Sequence, residues 1–510
     1  MAYLMGIDVG TSGTKTLLMD EDGKIVAQAT EEYPLHTPQP GWSEQDPKDW
    51  WRATRNTIKH VLAKSRIDPA EIKGAGYSGQ MHGSVFLDEK CEVVRPCILW
   101  NDSRTYRECE EITEAATPEK LHEWVSNPAM TGFTAPKVVW LKKNEPANFA
   151  RVRHVMLPKD YIRYRMTGEI ATDVSDAAGT ILYNVRERRW ATELLDVLGI
   201  PREWMPPVKA SYEVTGTVTR SASDECGLAP GTPIVGGGAD NPCGAVGSGV
   251  VVEGRVMLSL GTSGVIYSPT AAPKDDPQER LHFFCASPPD QWYFMGVVLS
   301  AGMCLRWYRD KFAEVERARA EKAGRDVYDI LMEEYVAKIQ PGSEGLFFLP
   351  YIMGERTPIA DPHARGAYIG LSFRHEPPHM VRAIVEGVSF ALRDNMEVIR
   401  AMGVPVEQVR LIGGGAKSPI WRQMMADVMG TEIVILKGGE GPAQGAAILA
   451  GKGAGVYDDL AEATDRLLPI ETRIQPNDAA HRRYNEIYGL FHALYPALKQ
   501  HFRLAQALVE

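Results

Sequence analysis

The start of the chain alternates between apolar runs and turn residues. Apolar runs fill residues 3–9 and 14–19. The tripeptide Glu-Asp-Gly at residues 21–23 separates the second run from a third over residues 24–32. An Asp-Gly pair between apolar runs is a strong hairpin signal. The pattern therefore predicts a β-meander.

The same pattern returns near the middle of the chain. The tetrapeptide Gly-Thr-Ser-Gly stands at residues 10–13 and again at residues 261–264, each time between two apolar runs. Both halves are therefore predicted to contain a strand, a glycine turn and a second strand.

Helical spacing of apolar residues dominates other segments. Helices with capping signals are predicted at residues 47–65 after Asp46, 377–402 before Gly403, and 419–429 after Ser418, and a small-residue helix at 441–451. Short strands are predicted at residues 72–79, 97–100, 408–415 and 431–436. This alternation indicates an α/β fold. After about residue 456 the chain is predicted to be a helical tail.

Glycine and alanine crowd residues 235–249, where Asp240 is the one acid. We interpret this segment as a strand end, a close-packed turn and a helix start near a domain junction. A chain of 510 residues is too long for one core. We therefore predict two domains, residues 1–250 and 251–510.

Composition narrows the function classes. The net charge of −10 argues against a nucleic-acid partner, because phosphate backbones bind basic surfaces. The seven cysteines are scattered without a C-x-x-C pair, which is typical of a reduced, cytoplasmic protein. The first residues lack a signal-peptide pattern, and no run reaches about 18 apolar residues. We therefore expect a cytoplasmic protein without a membrane partner.

The two glycine turns are suited to holding phosphate. Backbone N–H groups in such a turn can approach a phosphate closely, and the Thr and Ser hydroxyls add donors. Neither turn matches a Walker loop or a dinucleotide fingerprint. Two turns, one in each half, predict a clamp that grips a polyphosphate from both sides of a cleft. For either turn alone, an ordinary hairpin remains an equal alternative.

Two acids complete the chemistry of a phosphate site. Asp8 precedes the first turn and would repel a phosphate unless a cation lay between them, which predicts a Mg²⁺-nucleotide site. The alternative is an aspartate that satisfies turn N–H groups. Asp240 fits the carboxylate that takes a hydroxyl proton during phosphoryl transfer. Its alternative is a helix N-cap.

Two further stretches are candidate binding surfaces. Gln80, Met81 and His82 lie between glycines after a predicted strand, where His82 could bind sugar hydroxyls and Met81 could form an apolar wall. A packed methionine and a satisfied histidine are the alternative. The glycines at residues 413–415 lie between a strand and a helix start, which suits an adenosine or phosphate platform or tight packing.

These stretches together resemble the FGGY carbohydrate kinases. The matching segments are GIDVGTSGTK (6–15), GGGADNPCGAVG (236–247), SLGTSG (259–264) and GGGAKSPIWRQMMADVMG (413–430). Five further segments resemble, more narrowly, the family members that phosphorylate xylulose. They are SGQMHG (78–83), CILWNDSRT (97–105), SDAAGTILYNVRERRW (175–190), LPYIMGERTPIADPHARGAYIGL (349–371) and EGVSFALRDN (386–395). The resemblance runs from about residue 3 to about residue 455.

The resemblance implies two actin-like, ribonuclease-H-like α/β domains with a catalytic cleft between them. It implies transfer of the γ-phosphate of ATP to a sugar hydroxyl, with Asp240 as catalytic base and Asp8 as the acid of the Mg²⁺-ATP site; both acids would contact the metal. The implied sugar-binding residues are Met81, His82, Asn241 and Trp100. The implied nucleotide-binding residues are Thr11, Ser12, Gly13, Lys15, Gly261, Thr262, Gly302, Gly415 and Ala416.

The expected substrate is a ketopentose, D-xylulose, which would become D-xylulose 5-phosphate. Ribulose, L-xylulose and erythritol are alternatives, whereas a glycerol kinase would be expected to carry Arg-Glu in place of Met81 and His82. The resemblance alone implies a homodimer. An actin-like chaperone would need a further β-rich substrate module and lid, and a filament protein would lack an acid–amide pair such as Asp240-Asn241. An inactive sugar sensor has little support because both Asp8 and Asp240 are present.

Two positions beside Asp240 depart from the family pattern. Ala239 stands where glycine is frequent, and Pro242 and Cys243 stand where two small residues are usual. Proline fixes φ and lacks an N–H. We expect these departures to affect the local loop and the substrate preference more than the reaction type.

Overall fold

Two large mixed sheets organise the molecule. The computed structural model describes residues 1–439 and 441–508. The strands of the first half are β1 Tyr3–Val9, β2 Gly13–Asp20, β3 Ile25–Glu32, β4 Glu44–Gln45, β5 Ile72–Gly79, β6 Val85–Leu87, β7 Cys97–Ile98, β8 His154–Met156, β9 Thr172–Asp173, β10 Tyr183–Asn184, β11 Arg189–Trp190, β12 Val208–Lys209, β13 Val214–Thr217, β14 Pro233–Val235 and β15 Gly238–Ala239. Those of the second half are β16 Gly254–Leu260, β17 Gly264–Thr270, β18 His282–Cys285, β19 Trp292–Val298, β20 Phe347–Leu349, β21 Ala367–Ile369, β22 Val406–Ile412, β23 Glu432–Leu436 and β24 Ile470–Ile474.

Helices cover these sheets and connect their strands. The helices of the first half are α1 Pro47–Ser65, α2 Tyr106–Ala116, α3 Pro118–Val125, α4 Thr134–Asn144, α5 Pro146–Arg151, α6 Pro158–Thr167, α7 Val174–Ala178, α8 Thr192–Leu198, α9 Arg220–Cys226 and α10 Asp240–Gly247. Those of the second half are α11 Gly302–Phe312, α12 Glu314–Ala323, α13 Val327–Ile330, α14 Pro377–Ala401, α15 Pro419–Met429, α16 Gly441–Gly453, α17 Leu460–Leu467 and α18 Asp478–Gln506.

The two main sheets share one plan. The first has the order β13-β14-β5-β1-β2-β3, with β15 also paired to β5, and the second has the order β18-β19-β17-β16-β22-β23-β24. In each sheet an antiparallel hairpin, β1-β2 or β16-β17, is extended by a parallel strand, β5 or β22. The predicted repeat of strand, glycine turn and strand is therefore confirmed and extends into the sheet topology.

The two Gly-Thr-Ser-Gly turns differ in length. Val9 pairs with Thr14 across the first turn, whereas Leu260 pairs with Gly264 across the second. Residues 10–13 therefore form the first turn, and residues 261–263 form the second. The same four letters give two turns of different shape because the strand register differs.

The capping residues predicted from the sequence lie at the ends of the main helices. The Asp46 side chain accepts a hydrogen bond of 2.9 Å from Lys48 N at the start of α1. The Ser418 hydroxyl accepts one of 3.4 Å from Trp421 N at the start of α15. Gly403, which follows α14 closely, has φ of 69°. The predicted helix boundaries at these caps are confirmed.

The small-residue helix α16 joins the two halves. It packs against β1, β5 and α10 of the first half. A Cβ on Gly6 would lie 1.8 Å from Ala443 O, and a Cβ on Gly445 would lie 1.8 Å from Cys243 O. These backbones therefore touch directly, and α16 supports the helix whose first residue is Asp240.

The end of the chain differs from the predicted helical tail. β24 lies between α17 and α18 and pairs antiparallel with β23 at the edge of the second sheet. None of the residues of β24 is fully buried. Ile470 and Ile474 share one face of the strand, but five residues with only two apolar positions are too short a pattern to predict it.

Two features concern the redox state of the cysteines and the presence of membrane-spanning helices. All seven cysteines carry free thiols. Among the helices within residues 1–439 and 441–508, none is both long and apolar enough to cross a membrane.

Candidate active site

Asp8 and Asp240 come together through strand β5. Ser78 of β5 faces Asp8 of β1 on one side and Gly238 of β15 on the other. Asp240 follows β15 directly and is the first residue of α10. The charge of Asp8 raises the pKa of Asp240, as expected for neighbouring carboxyls. The fold thus brings together two acids from distant parts of the sequence.

Asp240 has the properties of a general base. Burial, and then the charge of Asp8, raise the pKa of its carboxyl to about 7. Its Oδ1 accepts hydrogen bonds from Asn241 N at 2.7 Å and from Asn241 Nδ2 at 3.1 Å. Ala239, not Asp240, occupies the N-cap position of α10. The N-cap alternative is therefore wrong, and a carboxyl that titrates near neutral pH suits proton abstraction.

The departures beside Asp240 are accommodated by helix α10. Pro242 lies in the first turn of the helix, where backbone N–H groups have no intrahelical partner to lose. Ala239 is fully buried and has φ of −57° and ψ of 156°, a conformation open to any residue. The loop therefore needs neither a glycine before the acid nor an N–H at Pro242.

The two acids fit a divalent cation. Asp8 Oδ1 is buried and has no hydrogen-bond partner, so this oxygen does not bind the N–H groups of the turn. Burial raises the pKa of Asp8 to about 6. A cation between the carboxyls would offset both their desolvation and their repulsion. No group of three or more His, Cys, Asp or Glu in the described part of the chain could hold a metal, so water and phosphate oxygens would complete the shell, as Mg²⁺ prefers.

Asn241 links this pair to the predicted sugar pocket. Its Nδ2 lies 3.7 Å from Met81 Sδ, and Met81 is buried. His82 follows, with its Nδ1 at 2.6 Å from Gly179 O. Because a carbonyl only accepts, Nδ1 carries the hydrogen, and burial lowers the pKa of His82 well below its ordinary value. The neutral ring therefore presents Nε2 as an acceptor for a hydroxyl donor.

A buried lysine that the sequence did not reveal fixes the backbone of His82. Lys137 Nζ donates hydrogen bonds of 2.8 Å to His82 O and 2.8 Å to Gly132 O. Thr134 Oγ1 donates another of 3.1 Å to His82 O. His82 has φ of 66°, which costs a non-glycine residue about 1–3 kcal/mol. Lys137 and Thr134 hold the residue in this conformation.

Trp100 connects the pocket to the first glycine turn. Its Nε1 donates a hydrogen bond of 2.9 Å to Thr11 Oγ1, which in turn donates to Gln80 Oε1 at 3.2 Å. Gln80 is buried, and its Nε2 donates to Gln45 Oε1 at 2.9 Å. The hydroxyl hydrogen of Thr11 is thus used within the pocket, and a contact of Thr11 with a nucleotide phosphate stays a prediction.

The remaining residues of the first turn lie beside Asp8. Gly10 N donates to Gly13 O at 3.1 Å and closes the turn. Ser12 is exposed at its tip. Lys15 faces Asp8 across the β1-β2 pair. The turn therefore presents its tip and a lysine next to the paired acids.

A cavity of about 670 Å³ lies beside the second glycine turn. Its walls include Gly261, Thr262, Gly302 and Gly415, four of the predicted nucleotide-binding residues. Gly302 N donates a hydrogen bond of 2.9 Å to Gly261 O, which ties the start of α11 to the turn. Ala416 is buried in the short 3-10 helix Gly414–Lys417 and does not line this cavity. The volume of the cavity suits a nucleotide-sized ligand.

A buried cluster of one lysine and three aspartates lies close to the backbone that precedes Asp240, and the sequence pattern did not predict it. Lys159 Nζ lies 2.6 Å from Asp160 Oδ1, 2.9 Å from Asp173 Oδ1 and 3.3 Å from Asp176 Oδ2. All four side chains are fully buried. Ser175 Oγ donates to Asp173 Oδ2 at 2.6 Å. The one available signal was the segment 175–190, which carried the family resemblance without an assigned role.

Comparison with known proteins gives a family match for each half of the chain. Residues 3–247 match the N-terminal domain of the FGGY family of carbohydrate kinases, and residues 256–454 match its C-terminal domain. The xylulose kinase of Bacillus subtilis (strain 168) is 38% identical over 499 residues, which cover 98% of each chain. That of Escherichia coli (strain K12) is 40% identical over 495 residues, which cover 97% of this chain and 99% of the relative.

A solved structure gives the same result in three dimensions. The crystal structure of a xyloylose kinase from Brucella ovis has a TM-score of 0.89 and 38% identity to this chain. The match covers 98% of this chain and 99% of the other. The expected α/β architecture of two actin-like domains is confirmed by these matches. The chain belongs to the FGGY family of carbohydrate kinases.

Proposed function

We propose that this carbohydrate kinase phosphorylates D-xylulose with ATP, giving D-xylulose 5-phosphate and ADP. The observation that carries the proposal is the meeting of Asp8 and Asp240 between the Met81-His82 pocket and the first glycine turn. The relatives that cover nearly the whole chain at 38% and 40% identity are xylulose kinases, which favours this ketopentose over ribulose, L-xylulose or erythritol.

In the proposed reaction Asp240 takes the proton of the sugar hydroxyl that is phosphorylated. The hydroxyl oxygen forms the new bond to the γ-phosphorus, and the bond to the β,γ-bridging oxygen breaks, so that ADP leaves with the electron pair. Asn241 holds Oδ1 of the base through two hydrogen bonds. His82 Nε2 accepts a hydrogen bond from another sugar hydroxyl, and Met81 packs against the carbon skeleton.

The nucleotide would span the two glycine turns. We place its base and ribose in the cavity lined by Gly261, Thr262, Gly302 and Gly415, and its terminal phosphates between the turns. Asp8 and Asp240 would hold Mg²⁺, which would neutralise charge on the phosphate oxygens. Lys15, opposite Asp8, would add a positive charge beside the transferred group.

A coupled ADP-release assay with Mg²⁺-ATP tests the substrate. The panel is D-xylulose, L-xylulose, D-ribulose, L-ribulose, erythritol, xylitol and glycerol. We expect the highest kcat/KM with D-xylulose. A higher kcat/KM with another member would overturn the proposed substrate, and no turnover of any member by a protein that binds ATP would overturn the reaction.

The variant Asp240→Asn tests the mechanism. It keeps the shape of the side chain and cannot accept the hydroxyl proton. We expect transfer to fall by about 10³-fold or more, in the range of losses of a general base, while calorimetry at saturating Mg²⁺ shows ATP binding largely intact. A variant with near-native turnover would remove the proposed base.

We also propose a cytoplasmic location and leave the homodimer as a prediction. Free thiols at all seven cysteines and the use of ATP both favour a reducing, nucleotide-rich compartment. Light scattering during gel filtration, at the concentration used in the assay, measures the oligomeric state directly.

A further inference from the structure

Arg356 of the second half lies at the wall of the sugar pocket in the first half. A Cβ placed on Gly132 would lie 2.9 Å from Trp100 O and 3.7 Å from Arg356 Nη2. Gly132 O is bound by Lys137, the lysine that also binds His82 O. Arg356 therefore approaches the Trp100 and His82 side of the pocket from the opposite domain.

The backbone around Arg356 is firmly held. Glu355 Oε1 accepts hydrogen bonds from Leu299 N at 2.9 Å and from Arg356 N at 2.8 Å. Thr357 N donates to Val297 O at 3.2 Å, so both neighbours of Arg356 are tied to the end of β19. Gly302 of the nucleotide cavity follows Leu299 by three residues. The arginine is thus positioned by the segment that leads into the proposed ATP site.

The guanidinium of Arg356 has no hydrogen-bond acceptor among the residues that the structure describes. It is half-buried, and across residues 1–439 and 441–508 it forms neither a hydrogen bond nor an ion pair. Burial raises the pKa of the adjacent Glu355 to about 8, while the charge of Arg356 acts to lower it. Burial also keeps His82 and His282 neutral by lowering the pKa of each ring.

The buried part of a guanidinium without acceptors is costly unless water or a ligand supplies them. Arginine offers only N–H donors, so its ligand must present oxygen acceptors. The hydroxyl and carbonyl oxygens of a ketose meet that need. They also complement His82, whose Nε2 accepts where Arg356 donates.

Building on the proposed function, we propose that Arg356 is a substrate-contacting residue that donates hydrogen bonds to oxygens of the ketopentose beside Gly132 and Trp100. The sugar is then held by both domains. His82, Asn241 and Asp240 bind it from the first half, and Arg356 binds it from the second. Sugar binding thereby favours the closed arrangement that excludes water from the transferred phosphate.

The test separates sugar binding from nucleotide binding in the full-length enzyme. We expect Arg356→Met to raise the KM for D-xylulose by about 10- to 100-fold, the range for losing a hydrogen bond from a charged donor, and to leave the KM for ATP within about twofold. Arg356→Lys keeps the charge without the fork of donors and should fall between. Calorimetry with D-xylulose alone should show the same order of affinities.

Arg365→Met is the matched control. Arg365 lies in the same segment, but its Nη1 donates to Pro362 O at 2.8 Å and to Ala364 O at 2.8 Å. Its loss should leave the KM for the sugar unchanged. Circular dichroism melts check that each variant folds, and Arg356→Lys decides the question if Arg356→Met does not fold.

The outcomes also separate this proposal from the proposed function. A wild-type sugar KM in Arg356→Met, or in Arg356→Lys where that variant decides, would overturn the contact, as would equal rises in both KM values. A wild-type enzyme that turns over another panel sugar contradicts the proposed substrate only, and the variants are then assayed with that sugar. A wild-type enzyme that turns over none overturns both proposals.

Discussion

The Ala239 amide donates a hydrogen bond of 3.1 Å to the Ser175 hydroxyl, one residue before Asp240. Ser175 in turn donates to Asp173, which Lys159 holds in the buried charge cluster. Ser175 lies in helix α7, which ends at Ala178. The carbonyl of the next residue, Gly179, accepts a hydrogen bond from His82 Nδ1. The segment 173–179 therefore positions both Asp240, the proposed base, and His82, a residue proposed to bind the sugar.

Ser175→Ala should slow catalysis without weakening nucleotide binding. The variant leaves the buried Ala239 N–H unpaired, at a cost of about 1–3 kcal/mol, and frees the backbone before Asp240. We expect kcat to fall about 10- to 100-fold while the KM for ATP stays constant. Steady-state kinetics with each substrate varied in turn measures both.

Ser211→Ala is the control for that experiment. Ser211 Oγ donates to the same Asp173 Oδ2 at 2.7 Å and is equally buried, but the Ala239 amide donates to Ser175 and not to Ser211. Both variants should lose similar stability, and only Ser175→Ala should lose kcat. Equal kinetic losses would show that the cluster acts through stability alone.

The pKa of Asp240 predicts an acid limb in the pH profile. Burial and Asp8 raise this pKa to about 7, and the base works only when ionised. With limiting Mg²⁺, kcat/KM for the sugar should therefore fall about tenfold per pH unit below about pH 7 and level off above it. Saturating Mg²⁺ favours the ionised form and should move the limb to lower pH. A limb near the ordinary aspartate value of about 3.9 at limiting Mg²⁺ would contradict this.

Asp8→Asn should raise the Mg²⁺ requirement. The variant removes one of the two carboxylates proposed to hold the cation, and its Oδ1 has no other partner to lose. We expect the half-saturating Mg²⁺ concentration to rise about tenfold or more. Ser259→Ala at the corresponding position of the second half is the control and should leave the Mg²⁺ dependence unchanged.

Lys137→Met should weaken sugar binding selectively. The variant removes the donor to His82 O and Gly132 O, so the backbone of the proposed sugar ligand loosens. The KM for D-xylulose should rise about tenfold, with the KM for ATP unchanged. Lys142→Met on the same helix is the control, because Lys142 Nζ donates to Leu198 O at 3.0 Å. Equal effects of the two variants would assign Lys137 a general stabilising role.

Sequence cues predicted the parts of the fold that depend on neighbouring residues. The hairpin before Ile25, the N-caps Asp46 and Ser418, and the repeated glycine turns each act within a few residues, so a single sequence reveals them. The edge strand β24 was missed because it has only five residues, of which only Ile470 and Ile474 are apolar.

Parts of the site depend on distant contacts and could not be predicted. Lys159 and Asp173 are charged residues that pattern alone places on the surface, yet the ion pair between them allows their burial. Arg356 reaches the pocket only because β19 positions its segment. The hydroxyl of Thr11 also bonds with Trp100 and Gln80, two contacts that the sequence pattern did not predict.

The contact between α10 and α16 predicts a steric test of the domain junction. A Cβ on Gly445 would lie 1.8 Å from Cys243 O, so Gly445→Ala must push the two helices apart. We expect a loss of about 1–3 kcal/mol in the free energy of unfolding, measured by urea denaturation, and a lower kcat because α10 begins with Asp240. Gly489→Ala in the middle of α18 is the control, since a Cβ there meets no atom within 4 Å. That exposed helical position should instead gain about 0.5–1 kcal/mol. A Gly445→Ala enzyme as stable and active as the wild type would show that the junction tolerates a wider separation than its backbone contacts indicate.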